Sequence, residues 1–245
     1  HSQAIPGVKT IIGVASGKGG VGKSTTAVNL ALAFKAQGLS VGVLDADIYG
    51  PSLPRLLGVQ VEKPRVRNGQ MLPIEAHGLQ TMSIGYVVPE NTATIWRGPM
   101  ATSAIQQFIS KVTWENLDIL VVDFPPGTGD IHLSLTQMLP MTGAIIVSTP
   151  QDIALIDARK GIAMFEKVNV PVIGILENMS HFICPKCGER TDIFSSGGAK
   201  AEADSSTISF LGEIPLEIQI RESSDAGNPI VSQNPDSPIA KIYLD

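Results

Sequence analysis

A short glycine-rich segment of the chain has the residue types and spacing needed to bind phosphate groups. It matches the pattern G-x-x-x-x-G-K-[ST] at every required position. Its glycines allow a tight turn that directs backbone N–H groups at phosphate oxygens, beside the positive end of a helix dipole. The segment therefore predicts a nucleotide-phosphate site. Its residues are Gly17, Lys18, Gly19, Gly20, Val21, Gly22, Lys23 and Ser24.

Two side chains of this phosphate loop are predicted to act on a magnesium nucleotide. Lys23 can reach the β- and γ-phosphates, and the Ser24 hydroxyl can complete the shell of a Mg²⁺ ion that bridges them. An apolar run at residues 10–15 precedes the loop, and residues 25–37, from Thr25 onward, have helical apolar spacing. Because the motif needs a strand before it and a helix after it, this context disfavours an ordinary glycine-rich turn. We include Thr25 in the predicted nucleotide site.

Three aspartates follow apolar runs that are typical of buried parallel strands. Asp45 and Asp47 follow residues 41–44, and Asp123 follows residues 117–122. Ligands bind at the carboxyl ends of strands in open α/β sheets, so we expect these carboxylates to face the nucleotide. Asp45 and Asp123 are predicted to support Mg²⁺, and Asp47 to orient or deprotonate the attacking water. The alternative role for an acidic residue after a strand is a helix N-cap.

The residues directly after Asp123 predict a loop that senses the nucleotide. Residues 124–130 read Phe-Pro-Pro-Gly-Thr-Gly-Asp. The prolines set a rigid path, and the glycines allow backbone N–H groups to approach a γ-phosphate. The alternative is a proline- and glycine-rich loop without a special role. Its position after a strand-end aspartate favours a nucleotide-sensing loop.

One asparagine is a candidate for recognising the base. Asn178 follows a predicted strand at residues 170–176. Its side-chain amide can donate to and accept from the adenine edge at the same time, although asparagine is also common in loops. Residues 214–216, with Pro215 at their centre, are predicted to close the base pocket with backbone groups.

Cys184 and Cys187, the two cysteines of the chain, lie in one predicted loop. Two thiolates in such a loop can bind one metal ion or cluster, but they are half of a four-thiolate site. A symmetric dimer with its two-fold axis through this loop would supply the other half. The spacing leaves zinc, an iron-sulfur cluster and unpaired structural cysteines open. It disfavours a thioredoxin-like redox pair, because the strand-to-helix context of that motif is missing.

The elements that must position these residues alternate along the chain. Their order predicts a doubly wound, mostly parallel α/β sheet with helices on both faces and the ligand at its carboxyl edge. Residues 60–78 predict a surface excursion with a hairpin, and we expect residues 1–245 to form one domain. Strands are predicted at residues 10–15, 41–44, 79–88, 117–122, 143–148, 170–176 and 210–213, and helices at 25–37, 52–57, 101–111, 131–139, 153–167 and 198–204.

Composition and charge limit the classes of function. Hydrophobic residues make up 43% of the chain, charged residues 17% and aromatic residues 5%, which suits an aliphatic sheet. The net charge of −5 argues against a broad nucleic-acid surface. The sequence has no run of ~18 apolar residues, and residues 239–245 do not form a basic amphipathic helix. We therefore do not expect this chain to span a membrane or to lie on one. A secretory signal is not evident and two cysteines are no disulfide framework, so we expect a reducing compartment rather than secretion.

A second lysine in the phosphate loop, Lys18, departs from the plain pattern. It resembles the "deviant" loop of the family that includes cell-division, plasmid-partition and nitrogenase-reductase ATPases. The resemblance implies that Lys18 crosses a dimer interface and stabilises charge on the partner's nucleotide. A group that acts in this way is worth ~10³ to 10⁵ in rate. The alternative is a solvated lysine at the tip of a loop.

Several segments taken together resemble the Mrp/ApbC group of iron-sulfur cluster carrier ATPases, over about residues 8–231. The resemblance implies a homodimer that holds a bridging [4Fe-4S] cluster on two Cys184/Cys187 pairs, binds ATP and passes the cluster to apo iron-sulfur proteins. It also implies the bacterial cytoplasm or the mitochondrial matrix. The segments are residues 17–25, 45–52, 96–99 (Trp-Arg-Gly-Pro), 121–130 and 184–187.

The same resemblance assigns roles at the nucleotide. Lys18 and Lys23 would contact phosphates, Asp47 would serve hydrolysis, and Asn178 would contact adenine. Two alternatives from other classes remain, a zinc-stapled nucleotide switch and a positioning ATPase that acts on membrane or DNA. The acidic charge and the missing basic helix weigh against the positioning ATPase.

Overall fold

Strands and helices alternate along the chain in a computed structural model that describes residues 4–88, 98–193 and 197–245. The strands are β1 (Val8–Ala15), β2 (Val41–Asp45), β3 (Val66–Arg67), β4 (Gln70–Met71), β5 (Ile74–Ala76), β6 (Leu79–Ser83), β7 (Leu117–Asp123), β8 (Gly143–Ser148), β9 (Val172–Glu177), β10 (Phe182–Ile183), β11 (Arg190–Thr191) and β12 (Phe210–Glu213). The helices are α1 (Lys23–Ala36), α2 (Leu53–Leu57), α3 (Gly98–Ser110), α4 (Asp130–Met138), α5 (Asp152–Lys167), α6 (Gly198–Ser206), α7 (Ile218–Asp225), α8 (Ile230–Gln233) and α9 (Pro238–Leu244).

Within the described ranges, eight strands form one sheet in the order β12-β9-β8-β1-β7-β2-β6-β5. All neighbours are parallel except β5, which pairs antiparallel with β6. Every residue of β2 and of β8 is buried, so both faces of the sheet are covered there. The predicted doubly wound, mostly parallel sheet is confirmed.

The position of β1 defines where a ligand can bind. This strand lies between β7 and β8, and the chain continues to β2 on one side of it and later to β8 on the other. The order of the strands therefore reverses at β1, and open α/β sheets bind ligands at such a switch point, outside the carboxyl ends of the strands.

The excursion at residues 60–78 contains the predicted hairpin. Strands β3 and β4 are antiparallel and are joined by Asn68 and Gly69. These two residues have φ angles of 53° and 75°, the left-handed pair that a tight two-residue hairpin turn needs. The excursion also contributes β5, an edge strand of the main sheet that the sequence did not predict.

The predicted strand at residues 79–88 is too long. Strand β6 ends at Ser83, and a single 3₁₀ turn follows at Ile84–Tyr86. The Ser83 hydroxyl accepts a hydrogen bond from the Gly85 N–H at 3.1 Å, which caps this turn and ends the strand. Trp96 and Arg97, which belong to one of the family-like segments, lie outside the described residues.

Three helices near the end of the chain were not predicted. Helices α8 and α9 pack against α1, and the Val231 N–H donates to Oδ1 of Asn29 at 3.1 Å. Helix α9 begins with Ser237, whose hydroxyl accepts from the Ala240 N–H at 3.1 Å, and with Pro238 in its first turn. This serine-proline start was the available sequence signal. No helix in the described ranges is long and apolar enough to cross a membrane.

Candidate nucleotide and thiolate sites

The phosphate loop connects the carboxyl end of β1 to the first turn of α1. Gly20 and Gly22 have φ angles of 78° and 75°, a region that glycine adopts without strain. A Cβ atom on Gly22 would also overlap the side-chain amide of Asn178. Gly17 has a different constraint, because its Cβ would overlap the backbone carbonyl of Asp157 in α5. Gly22 shapes the loop, whereas Gly17 lets α5 pack against it.

A cavity of about 210 Å³ opens above the loop. It brings the loop together with Asp47 and with Pro126 of the predicted nucleotide-sensing segment. The cavity is therefore formed by the sequence segments that were predicted to meet around a nucleotide. Its lining residues are Ser16, residues 18–25, Asp47, Ser52, Leu56 and Pro126.

Lys23, Ser24 and Asp123 form a buried cluster at the floor of the site. The Lys23 ammonium is ion-paired with Asp123 Oδ1, and the Ser24 hydroxyl donates to Asp123 Oδ2 at 2.6 Å. Asp123 is in register with Val14 near the end of β1, and the phosphate loop leads from that end to Lys23 and Ser24. Asp123 is also in register with Asp45 of β2. One hydroxyl and carboxylate oxygens are the ligand types that Mg²⁺ prefers, so this cluster fits the predicted ion.

Asp45 is fully buried, and its carboxylate accepts three hydrogen bonds from other residues of this chain. Its carboxylate accepts from the Leu53 N–H at 3.2 Å, the Ser83 hydroxyl at 2.9 Å and the Asp47 N–H at 3.1 Å. Burial, followed by the nearby Asp123 charge, raises the pKa of Asp45 to about 8. Leu53 begins α2, so Asp45 satisfies a donor at the start of that helix. Asp45 is in register with Asp123 of the predicted metal site, but it is not among the residues that line the cavity.

Asp47 lines the cavity directly. Its Oδ1 accepts from the N–H groups of Tyr49 at 3.3 Å and Gly50 at 3.2 Å, which fixes the orientation of the side chain. Burial raises the pKa of this carboxyl above its ordinary value. A carboxylate with a raised pKa at the edge of a phosphate site can accept a proton from water.

Sequence reasoning missed two residues at the predicted nucleotide-sensing loop: Ser16 connects it to the phosphate loop, and His132 contacts its backbone. The Gly127 N–H donates to the Ser16 carbonyl at 3.1 Å, and the Ser16 hydroxyl donates to the Lys18 carbonyl at 2.7 Å. His132 Nε2 lies 2.6 Å from the Pro125 carbonyl, and its burial lowers the pKa of the imidazole. The neutral imidazole therefore donates from Nε2. No sequence signal marks Ser16 or His132 beyond their positions beside the two motifs.

Asn178 lies against the phosphate loop. Its side-chain Nδ2 donates to the Val21 carbonyl at 2.8 Å, so it supports the loop. Pro215 is in the segment after β12, where the Ser180 N–H donates to the Ile214 carbonyl at 3.0 Å. Asn178 thus contacts the phosphate loop at Val21. The segment around Pro215 is hydrogen-bonded to Ser180, two residues after Asn178.

Cys184 and Cys187 lie at the tip of a small hairpin formed by β10 and β11. The Cys184 N–H donates to the Glu189 carbonyl at 2.9 Å, and the Gly188 N–H donates to the Cys184 carbonyl at 2.8 Å. Hydrogen bonds from the backbone N–H groups of Cys187 and Lys186, the largest from Cys187, lower the pKa of the Cys184 thiol. Cys184 is half-buried and Cys187 is exposed. The hairpin therefore presents two sulfur ligands to the surface.

The cysteine hairpin is half of a metal site. Among the residues that the structure describes, no group of three or more histidine, cysteine or acidic side chains is arranged to hold a metal ion. Two soft thiolates suit zinc or iron, but each commonly takes four such ligands. The pair fits a metal or cluster only if further ligands come from outside this set.

The parallel sheet, with a phosphate loop between its central strand and α1, defines a phosphate-loop nucleotide-binding protein. The chain belongs to the ParA family described as NUBPL iron-transfer P-loop NTPases, whose model matches residues 7–245.

Curated relatives cover the whole chain. The "iron-sulfur cluster carrier protein" of Haemophilus influenzae is 56% identical over 245 residues, which are 100% of this chain and 66% of that protein. The chain thus spans slightly less than two thirds of that relative. The "iron-sulfur cluster transfer protein NUBPL" of Dictyostelium discoideum is 52% identical over 244 residues, which are 99% of this chain and 76% of that protein.

Solved structures share the fold. A nucleotide-binding protein from Archaeoglobus fulgidus, in complex with ADP and with cobalt, is 37% identical with a TM-score of 0.83, covering 97% of this chain and 93% of its own. The cell division ATPase MinD of Pyrococcus furiosus is 24% identical with a TM-score of 0.68, covering 96% of this chain and 95% of its own. The MinD similarity shows the shared fold alone.

Proposed function

We propose that this chain is an ATP-hydrolysing iron-sulfur cluster carrier that works as a homodimer, holds a bridging [4Fe-4S] cluster and passes it to apo iron-sulfur proteins. The observation that carries the proposal is a complete phosphate loop and an exposed two-thiolate hairpin on one α/β domain. The names of the bacterial and NUBPL relatives support it. Relatives in bacteria, and one called mitochondrial, support the bacterial cytoplasm or the mitochondrial matrix as its compartment.

The phosphate loop would hold ATP through backbone N–H groups and Lys23. In the structure Lys23 is paired with Asp123, so the phosphates would take over Lys23 as a partner. Ser24 and Asp123 would hold Mg²⁺, which neutralises charge on the β- and γ-phosphates. Asn178 would contact adenine while its Nδ2 supports the Val21 carbonyl. The segment around Pro215 would close the base pocket.

Hydrolysis would need groups from both subunits. Asp47 lines the cavity and would orient or deprotonate the attacking water. Lys18 lines the same cavity and would act on the nucleotide of the partner. Because water positioning and this trans charge both depend on the dimer, hydrolysis by a lone subunit would be slow.

The cluster would bridge two copies of the chain. Each copy offers Cys184 and Cys187, and a [4Fe-4S] cluster takes four thiolates. The lowered pKa of Cys184 favours its thiolate form, which is the form that binds iron. We further propose that the nucleotide state sets the angle between the subunits, which tightens or loosens the bridge and so controls transfer.

Anaerobic iron-sulfur reconstitution tests the proposal. Wild type is compared with a Cys184→Ser/Cys187→Ser variant by absorbance, iron and zinc content and size. About four irons per dimer in wild type, and loss of the cluster in the variant, are expected. ATP binding should be equal in both proteins, which controls for folding. Tight zinc without iron uptake would favour the zinc-stapled switch instead.

Transfer assays test the link to the nucleotide. The reconstituted dimer is mixed with an apo iron-sulfur protein in the ATP, ADP and nucleotide-free states. Different transfer rates, together with different scattering profiles of the dimer, are expected. One rate and one profile in all three states would contradict control of transfer by nucleotide.

A further inference from the structure

Glu177, the last residue of β9, is a fully buried carboxylate that does not line the nucleotide cavity. Burying a carboxylate is costly unless its oxygens are hydrogen-bonded. Both oxygens of Glu177 have donors, and these donors come from two different parts of the chain.

The two donors lie at the two ends of the segment that carries the cysteines. Oε1 accepts from the Ser180 hydroxyl at 2.8 Å, where the chain has just left β9. Oε2 accepts from the Ala199 N–H at 3.1 Å, in the first turn of α6, where the chain has returned. The positive end of the α6 dipole adds to this attraction. One carboxylate therefore joins the outgoing and the returning ends of residues 178–198.

Backbone hydrogen bonds continue from Ser180 to the cysteine hairpin. The Ser180 N–H donates to the Ile214 carbonyl at 3.0 Å, and the Leu216 N–H donates to the His181 carbonyl at 2.7 Å. Phe182, which begins β10, also bridges to Leu216. Cys184 follows two residues later. The base of the hairpin is thus fixed to the segment after β12, starting from the contact with Glu177.

Glu177 is also next to the residue that supports the phosphate loop. Asn178 donates from its side chain to the Val21 carbonyl. We infer that Glu177 is a positioning residue that closes the base of residues 178–198 and sets the placement of Cys184 and Cys187 relative to the nucleotide site. The inference rests on the proposed function only for its consequence, cluster handling.

Glu177→Gln tests the contact with little change in size. A glutamine amide has one acceptor oxygen, so one of the two donors loses its partner. Hydrogen exchange is measured on protein without metal or cluster. The amides of Ser180, Cys184 and Leu216 should exchange about tenfold faster, equivalent to about 1.4 kcal/mol, while those of β1 and β7 stay unchanged. Glu166→Gln, at an exposed position in α5, is the matched control.

Ser180→Ala is a second variant, which removes only the outgoing contact. It should speed exchange at the same three amides. If Glu177→Gln does not fold, this variant alone tests the positioning role. Unchanged exchange at these amides in a folded variant would overturn the inference. Equal acceleration in β1 and β7 would also overturn it, because that result indicates a general loss of stability.

A functional readout separates positioning from simple stability. On reconstituted protein, Glu177→Gln and Ser180→Ala should lose iron to a chelator about tenfold faster, with ATP affinity unchanged, and Glu166→Gln should match wild type. Equal loss rates in all proteins would overturn the positioning role. If wild type binds no cluster at all, the proposed function fails while the exchange experiment still tests the contact.

Discussion

Lys23 and Asp123 form a buried ion pair between the first turn of α1 and the end of β7, 100 positions apart in the chain. The exposed fractions of their side chains are 6% and 2%. Removing one member of such a pair leaves the other charge buried without its partner. The pair therefore affects both the stability of the domain and the binding of phosphate.

Asp123→Asn should lower the free energy of unfolding of the nucleotide-free protein. Loss of one partner of a buried ion pair costs about 3–5 kcal/mol. We expect the lower end of this range, because the substitution also removes a negative charge that repels the Asp45 carboxylate. Urea unfolding measures the change. Asp225→Asn, in an exposed pair with Arg221, should leave stability unchanged. Adding Lys23→Met should restore part of the loss, and a fully additive second loss would contradict the pairing.

Gly22→Ala should weaken ATP binding. The alanine Cβ would overlap the Asn178 amide, and the φ angle of 75° disfavours a side chain. Gly161→Ala is the control, because this glycine lies inside α5 and its Cβ would make an ordinary contact with Ile146 at 3.5 Å. It should leave ATP binding unchanged and stabilise the fold by about 0.5–1 kcal/mol. Calorimetric titration and thermal unfolding provide the two measurements.

Asn178→Ala should weaken ATP binding about tenfold, because it removes the hydrogen bond to Val21 and the proposed contact with adenine. Competition by GTP against labelled ATP shows whether selectivity for the base falls at the same time. Gln106→Ala, at an exposed position in α3, should have no effect. Weaker ATP binding with unchanged base selectivity would limit the role of Asn178 to loop support.

Mixing two inactive variants tests the trans role of Lys18. Lys18→Ala and Asp47→Asn should each reduce ATP hydrolysis, the former by ~10³ or more if it acts as a trans charge. In a mixed dimer, the subunit with Lys18→Ala keeps Asp47 and receives Lys18 from its partner. One of the two sites should therefore recover. An assay of the mixture that shows no gain over the separate variants would count against action in trans.

His132 should make stability depend on pH. Its pKa is lowered by burial, so the unfolded chain binds a proton first as the pH falls. Stability from this group is therefore full above its ordinary pKa near 6.5 and is lost as the pH falls from there toward the folded pKa. His132→Gln keeps a donor for the Pro125 carbonyl without this titration. Urea midpoints from pH 8 to pH 5 should fall more in wild type than in the variant; parallel curves would contradict the assignment.

Local sequence signals predicted most of the sheet and the phosphate loop. Apolar runs ending in aspartate mark β2 and β7, and the glycine pattern marks the turn into α1. These features depend on neighbouring residues, so periodicity and motif spacing detect them.

The features that sequence reasoning missed depend on contacts between distant segments. The hydrogen bonds of Asp45 with Leu53 and Ser83 form only when the folded sheet brings these residues close, and its support of Mg²⁺ stays a prediction. Gly17 stays a predicted glycine of the phosphate loop, and the constraint that only the fold reveals is its close contact with Asp157 of α5. The two contacts of Glu177 were likewise invisible, because they join residues on either side of the cysteine hairpin.

The place of β1 between β7 and β8 also orders events during synthesis on the ribosome. The phosphate loop follows β1 early in the chain, but the strands that flank it end at Asp123 and Ser148. A nascent chain therefore exposes the loop before both strands that flank β1 are made, and Lys23 stays without Asp123 until β7 emerges. The cysteine hairpin is made later still. The phosphate loop would thus gain its flanking strands before the two cysteines are made, whereas the segment around Pro215, which is proposed to close the base pocket, comes after them.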